Sequence, residues 1–480
     1  MNGVLAMRAL VFGASGYVGS NLVPALLSAG HVVRAAARRL DAIEAREWPG
    51  VECVQADALR PDSLAAALSG IDVAYYLVHS MAAGSTFPEI DRRAAVAFRD
   101  AAAKAGVGRI VYLGGLQPKG GRSTHLASRS ETGDVLRDGS VPVTEIRAGI
   151  IIGPGSAAFE VIRDLVFHLP AMVTPKWVHS RSQPIALDDI LTYLIRIPEF
   201  AQSAGEIYDA GGPEILTYQD MMREFGELVG RHPVIVPVPF LTPRLSSYWL
   251  ALVTSVPANI ARALIGGLEH DVLADDAAIR ALIPLSLKAY RDAAQAALEA
   301  ERTASEPPRW VEGSMRHRQN RPDFAYYAKF YRAEATATAS PEEVWAQITR
   351  IGGDNGYYFL DSLWQARGML DGLLGGVGMR RGRPSSDTVV VGDVIDFWRV
   401  ISVQPLKRLT LLAEMRLPGS ATLDFEISPA GPGRVLITVT AYFHPAGSLG
   451  ITYWNALLPI HAAIFHGLVR EIARRAVASS

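Results

Sequence analysis

A single cysteine, Cys53, is all that 480 residues provide. Alone it closes no internal disulfide and builds no thiolate metal site, so a reducing compartment, the cytoplasm, is expected. Net charge is nearly absent too: 47 Lys and Arg stand against 48 Asp and Glu. Such a balance leaves no basic footprint for nucleic acid or for an acidic membrane surface. A secretory leader is not apparent, because residues 1–10 lack a long apolar core followed by a small-residue cleavage site. Long apolar runs are also missing. The most apolar internal stretch, 245–268, is interrupted by Pro257, Asn259 and Arg262, whereas a membrane span needs about 20 predominantly apolar residues. That stretch reads as a buried helix or a hydrophobic substrate wall, with peripheral membrane contact as the lesser alternative. Neither Gly-x-Ser-x-Gly nor His-Glu-x-x-His occurs, which leaves hydrolase-elbow and zinc-protease chemistry without support.

What is present is an ordinary globular composition, 49% apolar and 20% charged. At about 150 residues per domain the length suggests two or three domains. Short aliphatic runs at 9–12, 32–36, 51–55, 73–78, 110–113 and 143–147 alternate with amphipathic stretches at 19–29, 61–68, 90–105 and 130–138. Strand–helix alternation with near-continuous apolar strands predicts an α/β, doubly wound parallel sheet of Rossmann type. Helical patterns return at 218–229 and 275–301. Residues 303–323, with three prolines and few aliphatics, then read as a linker between a domain at 1–302 and one at 324–480. Beyond the linker the texture becomes antiparallel. Alternating runs at 330–338, 388–403, 409–417, 421–427 and 435–443 are separated by turn residues, and a last amphipathic helix is expected at 457–476.

Residues 9–19 read ALVFGASGYVG. Gly13 allows the tight turn after a strand, Gly16 lets backbone amides approach a diphosphate, and Gly19 permits close helix–strand packing. Ser15, Tyr17 and Val18 complete the loop, and the helix start offers partial positive charge to phosphate. The end of the second strand discriminates between cofactors. A site for NAD(H) carries an acid about 20 residues past the fingerprint; here the chain reads Arg34-Ala35-Ala36-Ala37-Arg38-Arg39, with no acid before Asp41. A guanidinium pair suits a 2′-phosphate. NADP(H) is therefore favoured over NAD(H), with Arg38 the first contact and Arg39 the second, while Arg34 is expected to be merely solvated.

These motifs, with Ala56-Asp57 after the third strand and IRAGIIIGPG from Ile146, resemble the atypical short-chain dehydrogenase/reductases, and most of all the NmrA-like and respiratory complex I accessory-subunit branches. The resemblance spans residues 7–301. It implies that Asp57 and Ala58 touch the adenine, that Leu77, Val78, His79 and Ser80 line the ribose and nicotinamide, and that Gly114, Gly115 and Leu116 pass beside the nicotinamide. It also implies a Tyr-x-x-x-Lys pair and a strand-end serine, and the sequence departs here: His125-Leu126-Ala127-Ser128-Arg129 occupies the pair's place and Gly114-Gly115 the serine's. Arginine can still hold a ribose, and histidine titrates near neutral pH. Arg129 and His125 are the catalytic candidates, with a surface histidine as the plain alternative. The expected activity is an NADP(H)-dependent oxidoreductase acting on a hydrophobic small molecule. The missing pair keeps open a non-catalytic NADP(H)-binding regulator or assembly factor.

The second half resembles the helix-grip fold of polyketide cyclases and START lipid-binding domains over residues 324–476, through element order and the helix start Ser340-Pro341-Glu342-Glu343-Val344-Trp345. An apolar ligand cavity is what that resemblance implies. Trp364, Trp398, Trp454, Tyr357 and Tyr358 are candidates to line it, or equally to be core aromatics. Gly352-Gly353-Asp354-Asn355-Gly356 is a cavity lid or a turn, and Arg380, Arg381 and Arg383 read as a solvated loop. His461 and His466, five apart on the last helix, do not share a face well enough for a metal site.

Overall fold

The computed structural model describes residues 6–79, 87–118, 124–238, 254, 270–303, 310–311, 314–315, 324–376, 378 and 389–478. Two compact units emerge, Met1–Pro322 and Asp323–Ser480.

Seven strands build the N-terminal sheet: β1 (Arg8–Phe12), β2 (Val32–Ala37), β3 (Glu52–Gln55), β4 (Val73–Tyr76), β5 (Arg109–Gly115), β6 (Val143–Ala148) and β7 (Ile207–Ala210). All pair in parallel, in the order β7-β6-β5-β4-β1-β2-β3. The doubly wound sheet predicted from the strand–helix alternation is therefore what forms. Central strands are apolar on both faces because helices cover both. On one face Val11 packs with Leu22 and Leu26 of α1 (Tyr17–Ser28); on the other, Phe12 and Tyr76 meet Phe98. Around the sheet lie α2 (Leu40–Glu44), α3 (Asp62–Leu68), α4 (Phe87–Ala105), α5 (Thr124–Arg137), α6 (Ala157–His168), α7 (Leu187–Arg196) and α8 (Tyr218–Leu228). Strand order reverses between β1 and β4, so a crevice opens at their carboxyl ends, where doubly wound proteins bind ligands.

Two expectations change. β7 was not foreseen: its four residues carry no readable period, and only pairing with β6 defines it. The helical pattern at 275–301 resolves into two helices, α9 (Ala277–Leu282) and α10 (Tyr290–Thr303), with Pro284 in the break. Proline lacks the N–H that would continue the ladder.

In the C-terminal unit, β8 (Lys329–Ala337), β9 (Val394–Ile395), β10 (Trp398–Gln404), β11 (Arg408–Ala413), β12 (Gly419–Pro429) and β13 (Val435–Pro445) form one antiparallel sheet, ordered β8-β13-β12-β11-β10-β9. The run expected at 388–403 splits because Asp396, at φ 52°, turns the chain between β9 and β10. Ser340 caps α11 (Pro341–Thr349) through a reciprocal capping box with Glu343. α12 (Asp361–Leu373) was not foreseen, since its outer face keeps Leu363, Met369 and Leu373 exposed and breaks the amphipathic pattern. The last helix, α13 (Gly447–Ala478), starts ten residues before the expected 457 and contains Pro459. Among the described residues it is the one helix long and apolar enough to cross a membrane, and a third of its most apolar window is buried. Ile464, Leu468, Val469 and Ile472 seat its second half in the core of this unit.

Three of the candidate aromatics lie in that core. Tyr357, Trp364 and Trp398 belong to it, and the rings of Tyr357 and Trp364 stack 4.5 Å apart. Trp454 is buried as well, stacked on Phe443, and Tyr358 is half-buried. The glycine-rich segment 352–356 is a turn tied down by Asp396, which accepts from the Gly353 N–H and the Tyr357 hydroxyl.

Candidate functional site

The glycine loop leads from β1 into α1 at the point where strand order reverses. Gly13 has φ +98°, and a Cβ there would meet the Leu77 carbonyl group at 3.1 Å and Val78 Cγ2 at 3.3 Å. The turn is pinned to β2, since the Gly13 and Ala14 N–H groups both donate to the Ala36 carbonyl oxygen at 3.0 Å. Behind it, a Cβ on Gly19 would lie 2.3 Å from the Gly13 oxygen, so α1 closes on the loop only with glycine at that place. Gly16 occupies the N-cap without a side-chain cap, and the first turn holds no acidic residue. Helix starts leave N–H groups without intrahelical partners, and here no carboxylate competes for them. Ser15 and Val18 are half-buried on this turn. Tyr17 reaches across it, with its hydroxyl 2.6 Å from where a Cβ on Gly153 would stand.

Arg38 and Arg39 follow β2 and are exposed. The Arg38 side chain has no partner among the described residues, while its carbonyl oxygen accepts from Gln55 Nε2 at 2.9 Å. Arg34, expected to be solvated, is instead structural. It lies within β2, pairs with Glu52 at 2.8 Å, and donates through Nη1 to the carbonyl oxygens of Ala66, Ala67 and Ser69 at the end of α3. A cation at a helix C-terminus satisfies orphan carbonyls. After β3, Asp57 is fixed by an Asx turn to the Leu59 N–H and by the Ser63 hydroxyl, and Ala58 is buried.

The ends of β4 and β5 bring the catalytic candidates together. Leu77, Val78 and His79 are half-buried beyond β4, and Ser80 lies outside the described residues. His79 Nε2 and His125 Nδ1, from the first turn of α5, are 2.8 Å apart. His79 Nδ1 lies 2.5 Å from Asp91 Oδ2, on α4, and the Asp91 side chain is 3% exposed. His125 is thus half-buried and hydrogen-bonded to a second histidine. Burial, with Arg129 and His79 adding like charge, pulls His125 down to about 2. Burial also lowers His79, opposed by its hydrogen bond to Asp91. Both shifts favour the neutral imidazole, less so at His79, where Asp91 opposes.

Arg129 is anchored by one arm: Nη2 donates to the Leu113 carbonyl oxygen at 2.6 Å. Its Nε is buried without a partner among the described residues. The two glycines that replace the family serine answer to different neighbours. A Cβ on Gly114 would press to 2.6 Å from Glu145, which is held between Arg137 and Arg147, whereas one on Gly115 would stand 3.3 Å from Arg129 Nε. Tight packing from behind excludes a side chain at 114.

Asp91 was missed by sequence reasoning. Its signal was there: Phe87, Asp91, Ala94, Ala95, Phe98 and Ala102 form the buried stripe of α4, and a carboxylate on such a stripe calls for a partner. All of the expected substrate wall at 245–268 except residue 254, and the arginines at 380, 381 and 383, lie outside the described residues.

A parallel doubly wound sheet with a glycine loop at its switch point and an acid-free helix start defines a Rossmann-type unit. Residues 13–142 match the family model described as NAD(P)H-binding, and residues 321–468 match one described as a protein of unknown function, DUF2867. Curated relatives from two strains of Mycobacterium tuberculosis, each called 3β-hydroxysteroid dehydrogenase/Δ5→4-isomerase, are 34% identical over 134 residues, 24% of this chain. The chain covers 36% of their length. Among solved structures, the NADPH-dependent quinone oxidoreductase of Escherichia coli, complexed with NADPH, gives a TM-score of 0.51 at 18% identity, over 60% of this chain and 99% of that one. The triphenylmethane reductase of a Citrobacter species, complexed with NADP(H), gives 0.50 at 17% identity, over 60% and 99%. At these identities the likeness is one of fold.

Proposed function

We propose that the chain is a cytoplasmic oxidoreductase of the atypical short-chain dehydrogenase/reductase type, binding NADP(H) in preference to NAD(H) and acting on a hydrophobic small molecule. One constellation carries this reading: an acid-free helix start after Gly13 at the switch point of the sheet, together with a hydrogen-bonded histidine beyond β4 and an arginine Nε without an acceptor among the described residues. Gly13, Ser15, Gly16, Tyr17, Val18 and Gly19 would hold the diphosphate. The guanidinium of Arg38, with Arg39 beside it, would grip a 2′-phosphate. Asp57 and Ala58 would border the adenine. Leu77, Val78, His79, Gly114 and Gly115 would line the ribose and nicotinamide, and Arg129 would bond the ribose. When bound, the nicotinamide supplies or accepts a hydride at a substrate carbon. Arg129 stabilises negative charge at the site, and His125 handles the proton at a substrate oxygen through Nε2. The likeness to the hydroxysteroid dehydrogenase/isomerases of Mycobacterium supports an apolar substrate of fused-ring size.

The second reading, a non-catalytic NADP(H)-binding regulator or assembly factor in the manner of NmrA-like proteins, is favoured by one observation: no tyrosine–lysine pair stands on α5. Purified protein with NADPH and a panel of hydrophobic carbonyl compounds separates the two. Turnover abolished by His125→Ala supports the enzyme; tight NADPH binding with no oxidation above background supports the regulator.

For the rest of the chain we propose a dinucleotide domain at 1–302, a linker at 303–323 and a helix-grip domain at 324–480. The supporting observation is the order strand, helix, antiparallel strands, long final helix, with α13 packed against β8 and β13. Its ligand would be a hydrophobic small molecule. No nucleic-acid partner and no membrane span form part of this reading.

A further inference from the structure

We propose that Asp91, His79 and His125 form a proton relay in which the transferable proton is stored on His79 and delivered to substrate through His125 Nε2. The inference rests on the oxidoreductase reading and deepens it by assigning two positioning residues behind the proton-transferring one.

The geometry leaves few arrangements. A carboxylate oxygen only accepts, so His79 Nδ1 carries a hydrogen toward Asp91 Oδ2, 2.5 Å away. Across the 2.8 Å gap between His79 Nε2 and His125 Nδ1 lies one hydrogen, because two lone pairs or two N–H groups would repel there. Burial beside Arg129 disfavours charge on His125, and two states meet both constraints with that ring neutral. In the discharged state both rings are neutral: His125 Nδ1–H donates to His79 Nε2, and His125 Nε2 holds a lone pair. In the loaded state His79 carries hydrogens on both nitrogens and donates from Nε2 to His125 Nδ1, while His125 keeps its own hydrogen on Nε2. His125 is neutral in both.

Delivery converts one state into the other. The His125 Nε2–H bond breaks as the substrate O–H bond forms, and the hydrogen between the rings passes from His79 Nε2 to His125 Nδ1. Positive charge disappears from His79, no electrons change hands, and solvent later returns a proton at His125 Nε2 as the hydrogen between the rings passes back from His125 Nδ1 to His79 Nε2. The charge thus never sits on the ring nearest substrate and Arg129. It sits where Asp91 faces it, and Asp91 also accepts from the Ser128 hydroxyl at 3.2 Å. Phe87 packs edge-on against His79, ring centroids 5.7 Å apart. Among the described residues, the charged groups acting on the pair are Asp91 on α4 and Arg129 on α5; Tyr76 on β4 and Tyr112 on β5, phenols pushed up by burial, lie next to these two.

The test uses the full chain labelled with 15N-histidine, without cofactor. The relay requires His79 Nδ1 to stay protonated across the titration and the two rings to take up a single proton together. Asp91→Asn must move the resonances of both rings. Two independent imidazole titrations, or an Asp91→Asn spectrum with His125 unmoved, would overturn it. Should that variant not fold, the wild-type titration decides alone. In turnover with NADPH and 9,10-phenanthrenequinone as the probe, Asp91→Asn and His79→Gln should each lower kcat about 10²-fold. KM should stay nearly constant and the acidic limb of the pH profile should move. A change confined to KM would refute the relay. Coupled titration with no quinone reduction at all would overturn delivery to substrate and the oxidoreductase reading together, whereas independent titrations overturn the relay alone.

Discussion

Gly19→Ala tests the loop geometry by sign as well as size. A Cβ at this position would stand 2.3 Å from the Gly13 oxygen and 3.0 Å from Ala14 Cα. Carbon and oxygen approach no closer than about 3.3 Å even in favourable contacts, so the start of α1 must retreat by about an ångström. In an unobstructed helix, replacing glycine with alanine stabilises by about 0.8–1.0 kcal/mol. Overpacking costs about 1–3 kcal/mol, and a clash with backbone rather than a flexible side chain lies toward the upper end. The expected net effect is a loss of about 1–2 kcal/mol of stability in the N-terminal unit. The N–H groups of the first turn retreat with the helix, and NADP+ affinity should fall at least tenfold, about 1.4 kcal/mol. Gly16→Ala, whose Cβ would meet the same oxygen at 3.2 Å, should fall between variant and wild type. Thermal unfolding and calorimetric titration with NADP+ measure both effects. A Gly19→Ala protein that melts at or above wild type and binds NADP+ equally well would refute the reasoning.

Arg38→Ala should weaken NADP+ by about 10- to 100-fold, the worth of charged hydrogen bonds, and leave NAD+ nearly unchanged; equal losses in parallel titrations would remove the 2′-phosphate assignment. Arg34→Ala should behave oppositely. It strips Glu52 and three carbonyl oxygens of their donor, costs about 1–3 kcal/mol in denaturant unfolding, and spares the ratio of NADP+ to NAD+ affinity. The C-terminal unit should lose stability in mild acid through His461, which burial, with Arg367 nearby, lowers to about 4. Its folded value lies below the unfolded one near 6.5, so the unfolded chain binds the extra proton. The contribution is complete above about pH 6.5 and drains as pH falls toward 4, about 2 kcal/mol between pH 7 and 5. Unfolding free energies of wild type and His461→Phe across that range should converge; parallel curves would exclude His461 as the source.

The parallel sheet was legible because its central strands are apolar on both faces, and Gly13, Gly16 and Gly19 sit at the offsets a tight β–α turn requires. Arg38 was legible by subtraction, as a cation where an acid is otherwise expected. Arg34 was not: two arginines four residues apart look alike in one dimension, and only the pairing of β2 with β3 puts Glu52 and the end of α3 beside the first. α12 escaped notice because its outward face is apolar. The break between α9 and α10 was written in Pro284 and overlooked.

Local chemistry alone settled the strand–helix alternation of the N-terminal sheet from β1 to β6, and that the first βα unit has the form of a dinucleotide loop. Period, glycine placement and charge are properties of neighbouring residues. Tertiary structure settled what depends on distant ones. Asp91, His79 and His125 are separated by 12 and 46 positions and belong to different elements. Their hydrogen-bonded line exists only because β4 and β5 are adjacent in the sheet, so that the segments leaving them must meet. Likewise, Glu145 pressing on Gly114 from β6 explains why no side chain stands at that strand end. Sequence spacing carries short-range geometry, but contact across a sheet follows from strand order, which the chain acquires only on folding.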